Sequence, residues 1–480
     1  MENSMVEQKK IAIIGGGVAG VTTAIYLAQR GLNITLFEKE PSLVSGPPFC
    51  HLHAGGNLYR EISDQQCITL LQQSIDFLNF YPYCVDYRPT VIALPTTDKQ
   101  SPTQLLPRLQ LLQNAYAKLI EENPHNQVLG ESKNYFKLYS KEQIETLQKR
   151  PIASTPTNAD EWMIPVAQTI DLEKVQFPLI LVQEYGLNLF RLASGATLSL
   201  KQMKNVTLYQ KTSVDNIENN NASWKITFTN RQTQTETFDY LINAAGFRTG
   251  KIDDMLDVPC KRMVEFKAAY VSQWKGQEKT LFPEIIFHGE RGTPQGMGQF
   301  TPYPNEYFQL HGMTNNITLY DDGLVANTAL SCQPELKQNF IEKIEQSWSE
   351  EETKERTSNA IAHLAQFIPK FSTATVGSIP LFGAQQIPGD DPTLRVAEVS
   401  FPTEYYARCE IVKVSSVIDM IRSIIKELIK VKLLNEYIQE KNTSHYLEKF
   451  TEEKLMLLAQ TLAKERGYPS SLAKRNISYK

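Results

Sequence analysis

Three observations on the 480-residue sequence predict an α/β chain, α+β overall, in which two domains are combined. First, an apolar strand, a glycine turn and a helix follow one another in Ile11-Ala12-Ile13-Ile14-Gly15-Gly16-Gly17-Val18-Ala19-Gly20, and a second strand ends at Leu36-Phe37-Glu38. That order is the strand-turn-helix-strand context of a Rossmann-like dinucleotide-binding unit. Second, from Lys261 to Leu330 the pattern becomes strand after strand, which points to a separate mixed or antiparallel sheet. Third, the length exceeds what one hydrophobic core usually covers, so two interleaved or consecutive domains are expected.

Each residue of the first unit has a physical task. Gly15 lets the chain leave the strand in a tight turn, Gly17 presents no Cβ to an approaching pyrophosphate, and Gly20 lets the helix pack closely on the sheet. The helix N-terminus at Val18 and Ala19 offers unpaired N–H groups and partial positive charge to phosphates. Glu38, with Lys39 beside it, can accept hydrogen bonds from ribose hydroxyls, and its charge repels a 2′-phosphate. The expected cofactor is therefore FAD or NAD rather than NADP, and this fingerprint does not separate the two.

Composition narrows the class further. With 41% hydrophobic and 21% charged residues and a net charge of −4, the chain reads as an ordinary globular protein with no electrostatic reason to bind nucleic acid. Its six cysteines (Cys50, Cys67, Cys84, Cys260, Cys332 and Cys409) form no CxxC or metal-type spacing, so reduced thiols in a cytoplasmic protein are expected. Lys9 and Lys10 before an apolar run imitate a signal peptide, but that run is the nucleotide strand. No apolar run reaches the roughly 20 residues that span a bilayer, so any membrane contact is expected to be peripheral.

Along the chain, a Gly/Pro-rich loop from Pro41 to Leu58 reads as returning toward the cofactor. Helical spacing follows over Gln66–Phe80 and Leu105–Ile120, with a strand at Val91–Pro95. A polar segment from Glu122 to Asp171 holds a short helix at Lys141–Leu147. A buried strand at Leu179–Gln183 and a helix near Leu187–Ser199 come next. Strands are expected at Val206–Tyr209, Ser213–Ile217 and Trp224–Phe228. The strand Tyr240–Asn243 runs into Ala244-Ala245-Gly246, as at a parallel sheet edge facing a ligand crevice. Further strands are expected at Val264–Tyr270, Glu284–His288, Tyr307–Leu310 and Arg395–Ser400, helices within Gln338–Phe367, and one long helix over Ser415–Ile438.

With these residues in hand the chain resembles the FAD-dependent oxidoreductases of the D-amino-acid oxidase/glycine oxidase superfamily. The glycine-bearing loop after the ribose glutamate, the strand entry Thr212-Ser213-Val214 and the Asn243-Ala244-Ala245-Gly246 motif follow in the superfamily's order, loosely from Ile11 to Ile425. The resemblance implies FAD rather than NAD, with Val214 near the adenine. It also implies an FAD-binding domain from 1–90, 170–255 and 370–435 and a substrate domain from 91–169 and 256–369; the polar, charged tail over 436–480 lies beyond it and is expected to be a helical appendage specific to this chain. It departs from the superfamily at Ser400–Ser416, where a glycine-rich turn is usual and no glycine stands. A helix capped by Ser415 or Ser416, or the side chains of Arg408 and Lys413, are the substitutes available to the flavin.

Members of this superfamily oxidise a C–N or C–O bond beside a carboxylate by net hydride transfer, so the implied partner is a small carboxylate-bearing amine or 2-hydroxy acid. Oxygen or a quinone is the implied electron acceptor. An arginine suits the carboxylate because its planar fork pairs both oxygens; the candidates are Arg60, Arg248, Arg291 and Arg408, each with a surface salt bridge as the alternative. Tyr307, Gln309 and His311 share one face of a strand, and His311 or Tyr307 can meet the substrate if that face looks over the flavin. His53-Ala54-Gly55-Gly56 looks like the loop of dimethylglycine-type dehydrogenases in which a histidine is joined to the flavin. Covalent attachment at His51 or His53 therefore stands beside ordinary binding, and a metal pair lacks further ligands. The stripe Val417, Ile418, Ile421, Ile424, Ile425, Leu428 and Ile429 with basic flanks fits core packing, or a peripheral membrane surface of a malate:quinone-type dehydrogenase on the cytoplasmic face. A flavin-bound sensor or scaffold without turnover is the reading from another class. Substrate and oligomeric state are not encoded in any motif.

Overall fold

The computed structural model describes residues 9–46, 52, 62–220, 223–394, 396–435 and 450–477. The chain opens with strand β1 (Lys10–Ile14), helix α1 (Val18–Gln29) and strand β2 (Asn33–Phe37). These strands are apolar because both faces of the sheet they enter are covered, and Ile11, Ala12, Ile13, Leu36 and Phe37 are all buried. Parallel pairing continues outward through Val206–Tyr209 on one side and through Tyr240–Asn243 and Tyr406–Cys409 on the other. The short strand Val399–Ser400 closes that edge antiparallel. An antiparallel three-stranded sheet, Ser213–Asn219, Trp224–Asn230 and Gln232–Phe238, is inserted between the strands 206–209 and 240–243.

The second sheet is built about the long strand Arg262–Gln273. Leu381–Pro388 pairs along most of it, and Tyr307–Gly312 continues the sheet to Gly298–Tyr303, Glu284–Phe287, Thr90–Ala93, Leu179–Val182 and Phe136–Tyr139. All but the pairing of 284–287 with 90–93 are antiparallel. The architecture is the predicted one, a Rossmann-like sheet interleaved with a mixed sheet. Each sheet has its own core, one around α1 and the helices Leu189–Gln202 and Val417–Lys430, the other around Trp274, Phe300, Phe308 and Phe371.

Several elements differ from the sequence reading for identifiable reasons. Gln232–Phe238 is an edge strand whose side chains are mostly exposed, so its polar sequence carries no alternation. The helix Ala159–Thr169 contains Pro165, which has no N–H to give the Glu161 carbonyl, and the helix continues past it to Thr169, whose Oγ1 donates to the Pro165 carbonyl at 2.7 Å. The long C-terminal helix ends at Lys430, and Lys432 stands at φ 61° in the turn beyond. Most of its apolar stripe is internal: Val417, Ile418, Ile421, Ile424 and Leu428 are buried in the same core as α1, and Ile425 and Ile429 are partly buried against it. No helix among the described residues is long and apolar enough to cross a membrane. Farther on, the helix Glu452–Glu465 packs Leu455, Ala459, Leu462 and Ala463 into that core.

A buried ion cluster joins the two sheets. Asp253 faces Arg408 at 3.3 Å and Arg262 at 3.6 Å, and Glu410 meets the same guanidinium groups at 3.0 and 3.4 Å. Tyr406 donates its hydroxyl to Asp253 at 2.7 Å and accepts from Asn243 Nδ2 at 2.8 Å. Burial pushes the Asp253 carboxyl up, while Arg408 and the Tyr406 hydroxyl oppose that shift. Asp253→Ala should cost about 3 kcal/mol in urea unfolding, because two buried guanidinium groups then share one carboxylate. Asp253→Asn, which keeps the Tyr406 contact, should cost less.

Candidate functional site

The glycine turn has the geometry its sequence implies. Gly15 adopts φ +104°, and a Cβ there would lie 2.3 Å from the Ala244 carbonyl oxygen; a Cβ on Gly20 would lie 1.8 Å from the Gly15 oxygen. Neither position admits a side chain. Gly17 differs, since a Cβ there would meet no protein atom within 4 Å. It is the N-cap of α1, offers no side-chain cap, and borders a cavity of about 1310 Å³ together with Val18, Ala19, Val44, Gly46 and Ala244. The N–H groups of a first helical turn have no acceptor inside the helix. An uncapped helix N-terminus opening on a large cavity is the cradle a pyrophosphate requires, so the residues present fit a dinucleotide.

Glu38 fastens this turn. Its carboxylate accepts from Gly16 N at 2.6 Å and from Glu40 N at 2.7 Å. Burial raises its pKa, and the backbone bonds from Glu40 and Gly16 work against that. Thr212 N donates to the Glu38 carbonyl at 2.9 Å, which sets Ser213 and Val214 alongside. Glu38 and Val214 are not themselves among the cavity-lining residues; nor are Ala245 and Gly246, which follow Ala244 in the adjoining loop.

The opposite wall of the cavity belongs to the second sheet. Glu265, Lys267, Gln299, His311, Gln385 and Gln386 line it, with His288 and Arg291 from the neighbouring loop. Glu265 pairs with Lys267 at 2.7 Å and with Arg291. Lys267 also donates to Gln385 Oε1 at 3.1 Å, and Gln385 in turn donates to the Val412 carbonyl at 2.7 Å. His311 lies directly across the strand pair from Gln299, and both side chains are at most 9% exposed. The Gln299 amide donates to Glu284, which pairs with buried Arg88 at 2.7 Å. Ile411, Val412, Lys413 and Val414 border the cavity from the stretch without glycine, and exposed Thr97, Lys99, Gln100, Asp391 and Thr393 form its rim.

Arg291 and His311 are thus brought to one cavity with Gly17, Val18, Ala19 and Ala244. Other candidates are placed elsewhere. Arg248 ion-pairs with Glu345 and packs over the Phe247 ring; Lys39 meets the same carboxylate at 2.7 Å, so Glu345 draws both cations away from the cavity. Arg408 is held in the ion cluster by Asp253 and Glu410 rather than facing the cavity. Tyr307 lies four residues along the strand from His311, about 13 Å away, opposite Tyr303 and against the nucleotide-domain core. Ser416 Oγ bonds Gln73 Oε1 at 3.0 Å and does not cap the helix it precedes. His51, His53, Ala54, Gly55, Gly56 and Arg60 lie outside the described residues. Lys267, Glu265 and the Gln385–Gln386 pair were not singled out by sequence, although Glu265 and Lys267 alternate with Val264, Phe266 and Ala268 in an otherwise apolar strand.

Comparison with known proteins gives a consistent picture. The family model for FAD dependent oxidoreductases, DAO, matches residues 10–392. Curated relatives are matched only in small part: carotenoid phi-ring synthase of Streptomyces griseus is 52% identical over 33 residues, 7% of this chain and 6% of that protein. Thiamine thiazole synthase of Pyrobaculum aerophilum is 31% identical over 99 residues, 21% of this chain and 32% of that protein. Among solved structures, glycerol-3-phosphate dehydrogenase of Bacillus halodurans complexed with FAD shares the fold at TM-score 0.57 and 13% identity, over 97% of this chain and 74% of that one. Glycine oxidase of Geobacillus kaustophilus does so at 0.55 and 12%, over 89% and 95%.

The two turn glycines should separate folding from cofactor retention. Gly17→Ala should leave the apoprotein's stability within about 1 kcal/mol yet release FAD on gel filtration. Gly15→Ala, strained by its positive φ and by the Ala244 carbonyl, should lower the melting temperature of the apoprotein itself.

Proposed function

The chain belongs to the FAD-dependent oxidoreductase (DAO) family, and on that premise we propose that it oxidises a C–N or C–O bond of a small amino or 2-hydroxy acid. The observation that carries this reading is the pair of cations on the cavity wall, Lys267 and Arg291, both paired with Glu265. The lining as a whole is balanced, with Lys99, Lys267, Arg291 and Lys413 against Asp98, Glu265, Glu290 and Asp391, so the case for a carboxylate substrate is the local one of two cations converging on one point of the wall. Arg291 supplies a planar fork and Lys267 a point charge.

FAD, held by the α1 N-terminus, the glycine turn and the loop at Ala244, supplies the hydride acceptor when bound. The protein's own part is to bind, orient and dry the substrate. Lys267 and Arg291 fix the carboxylate end, and Gln385 holds Lys267 from the side. His311 and Gln299, facing one another across two strands, offer hydrogen bonds to the reacting amine or hydroxyl. A neutral imidazole there can take the proton that leaves nitrogen or oxygen as the adjacent carbon is oxidised. The buried wall behind them keeps water from the reacting centre.

The test is anaerobic mixing of the flavoprotein with a panel of amino acids, 2-hydroxy acids and glycerol phosphate. Loss of the oxidised flavin's visible band with a carboxylate compound supports the reading; loss only with glycerol phosphate moves the substrate class to phosphate esters; none with any compound favours a flavin-bound sensor. Oxygen and a soluble quinone, offered to the reduced protein, then identify the acceptor. Arg291→Met should raise KM for the carboxylate substrate at least about tenfold. His311→Ala should act mainly on kcat, lowering it about a hundredfold or more in steady-state assays.

A further inference from the structure

Arg466 ends the helix Glu452–Glu465 as its C-cap residue, more than 400 positions from the glycine turn, yet its guanidinium reaches the loop that follows Glu38. Nε donates to Ser42 Oγ at 3.1 Å, Nη1 to the Val44 carbonyl at 3.0 Å and Nη2 to the Leu43 carbonyl at 2.6 Å. Three acceptors in one short turn match the fixed fork of a guanidinium, whose nitrogens reach all three at once. Burial disfavours its charge, while the Tyr468 hydroxyl and the Glu38 carboxylate favour it.

The loop so held bears directly on the nucleotide end of the cavity. Val44 N donates to the Gly16 carbonyl at 2.9 Å. The Leu43 side chain packs so close to Gly16 that a Cβ there would lie 2.6 Å from Leu43 Cδ2. Val44 stands at φ 55°, a conformation that costs a branched residue energy unless its surroundings impose it. Val44 and Gly46 line the cavity beside Gly17, Val18 and Ala19.

We propose that Arg466 is a positioning residue for the cofactor: it presses the Ser42–Val44 turn onto the glycine turn, and so governs how tightly FAD is retained. This rests on the FAD site and not on the substrate reading, so the substrate panel can fail without touching it.

The test uses the holoprotein and three variants, Arg466→Ala, Arg466→Lys and Arg475→Ala. Arg475 lies in the same C-terminal segment but donates to the Val85 carbonyl and to Glu452. FAD release is followed by recovery of flavin fluorescence after dilution, and melting of each apoprotein is recorded alongside. Arg466→Ala should release FAD about tenfold faster or more, the loss of charged hydrogen bonds. Arg466→Lys should fall between it and wild type, and Arg475→Ala should release FAD at the wild-type rate. Wild-type release from Arg466→Ala overturns the proposal, as does equal acceleration by Arg475→Ala, which would mean that docking of the whole segment matters rather than this side chain. If Arg466→Ala does not fold, Arg466→Lys against Arg475→Ala decides in the same way. A wild-type protein that takes up no FAD overturns this proposal together with the cofactor site.

Discussion

The backbone of Gly15 and the carbonyl of Ala244 approach until no side chain fits between them, and the rest of the molecule is arranged about that contact. Two parallel strands bring it about. Ile14 pairs with Asn243, and Ala244 N donates to the Ile14 carbonyl at 2.8 Å. Both strands therefore end at the same level, and their following loops open on one crevice at the carboxyl edge of the sheet. Gly15 N bonds the Phe37 carbonyl at 2.8 Å and Gly16 N the Glu38 carboxylate, so the third strand is drawn to the same point. A dinucleotide site results from chain geometry before any ligand-contacting side chain is considered.

The facing wall is held by buried charge. Arg88 lies between Asp86 at 3.4 Å and Glu284 at 2.7 Å, and Glu284 takes the amide of Gln299, which borders the cavity. Asp86 also accepts from Ile477 N at 2.8 Å and Asn476 Nδ2 at 3.1 Å. Such groups cost desolvation, and an apolar core of equal volume would stabilise the fold at least as well. What they add is direction: a glutamine amide and an imidazole held within narrow limits on rigid strands. The cluster of Asp253, Arg262 and Arg408 does the same for the seam between the sheets.

The nucleotide unit was legible because its constraints are local. Gly15, Gly17, Gly20 and Glu38 lie within one strand-turn-helix-strand passage, and backbone geometry alone assigns their tasks. The apolar strands and amphipathic helices were legible from periodicity, as at Asp64–Phe80 and Leu106–Glu122. Of the cavity's far wall, Arg291 and His311 stood among the sequence candidates, but Lys267 and Gln385 did not, because strand 262–273 meets strand 381–388 only through sheet register. Charged residues posed a related difficulty. Arg248, Arg291 and Arg408 are chemically alike, and what separates them is a counter-ion from a distant segment, Glu345, Glu265 or Asp253. No pattern near Arg466 announces that its partners stand at 42–44.

The interleaving of the two sheets bears on how the molecule is made. Strand β1 is complete after Ile14, but its neighbour on one side comes from residues 240–243, and the sheet is closed only by residues 406–409. The second sheet in turn waits for residues 381–388 to cover strand 262–273. Neither compartment can close on a nascent chain shorter than this, so apolar strands such as Ile11–Ile14 and Leu179–Val182 remain unsheltered through most of translation. High contact order of this kind slows folding and exposes strand edges. The last strands to arrive, 381–388 and 406–409, are therefore the ones without which both sheets stay open.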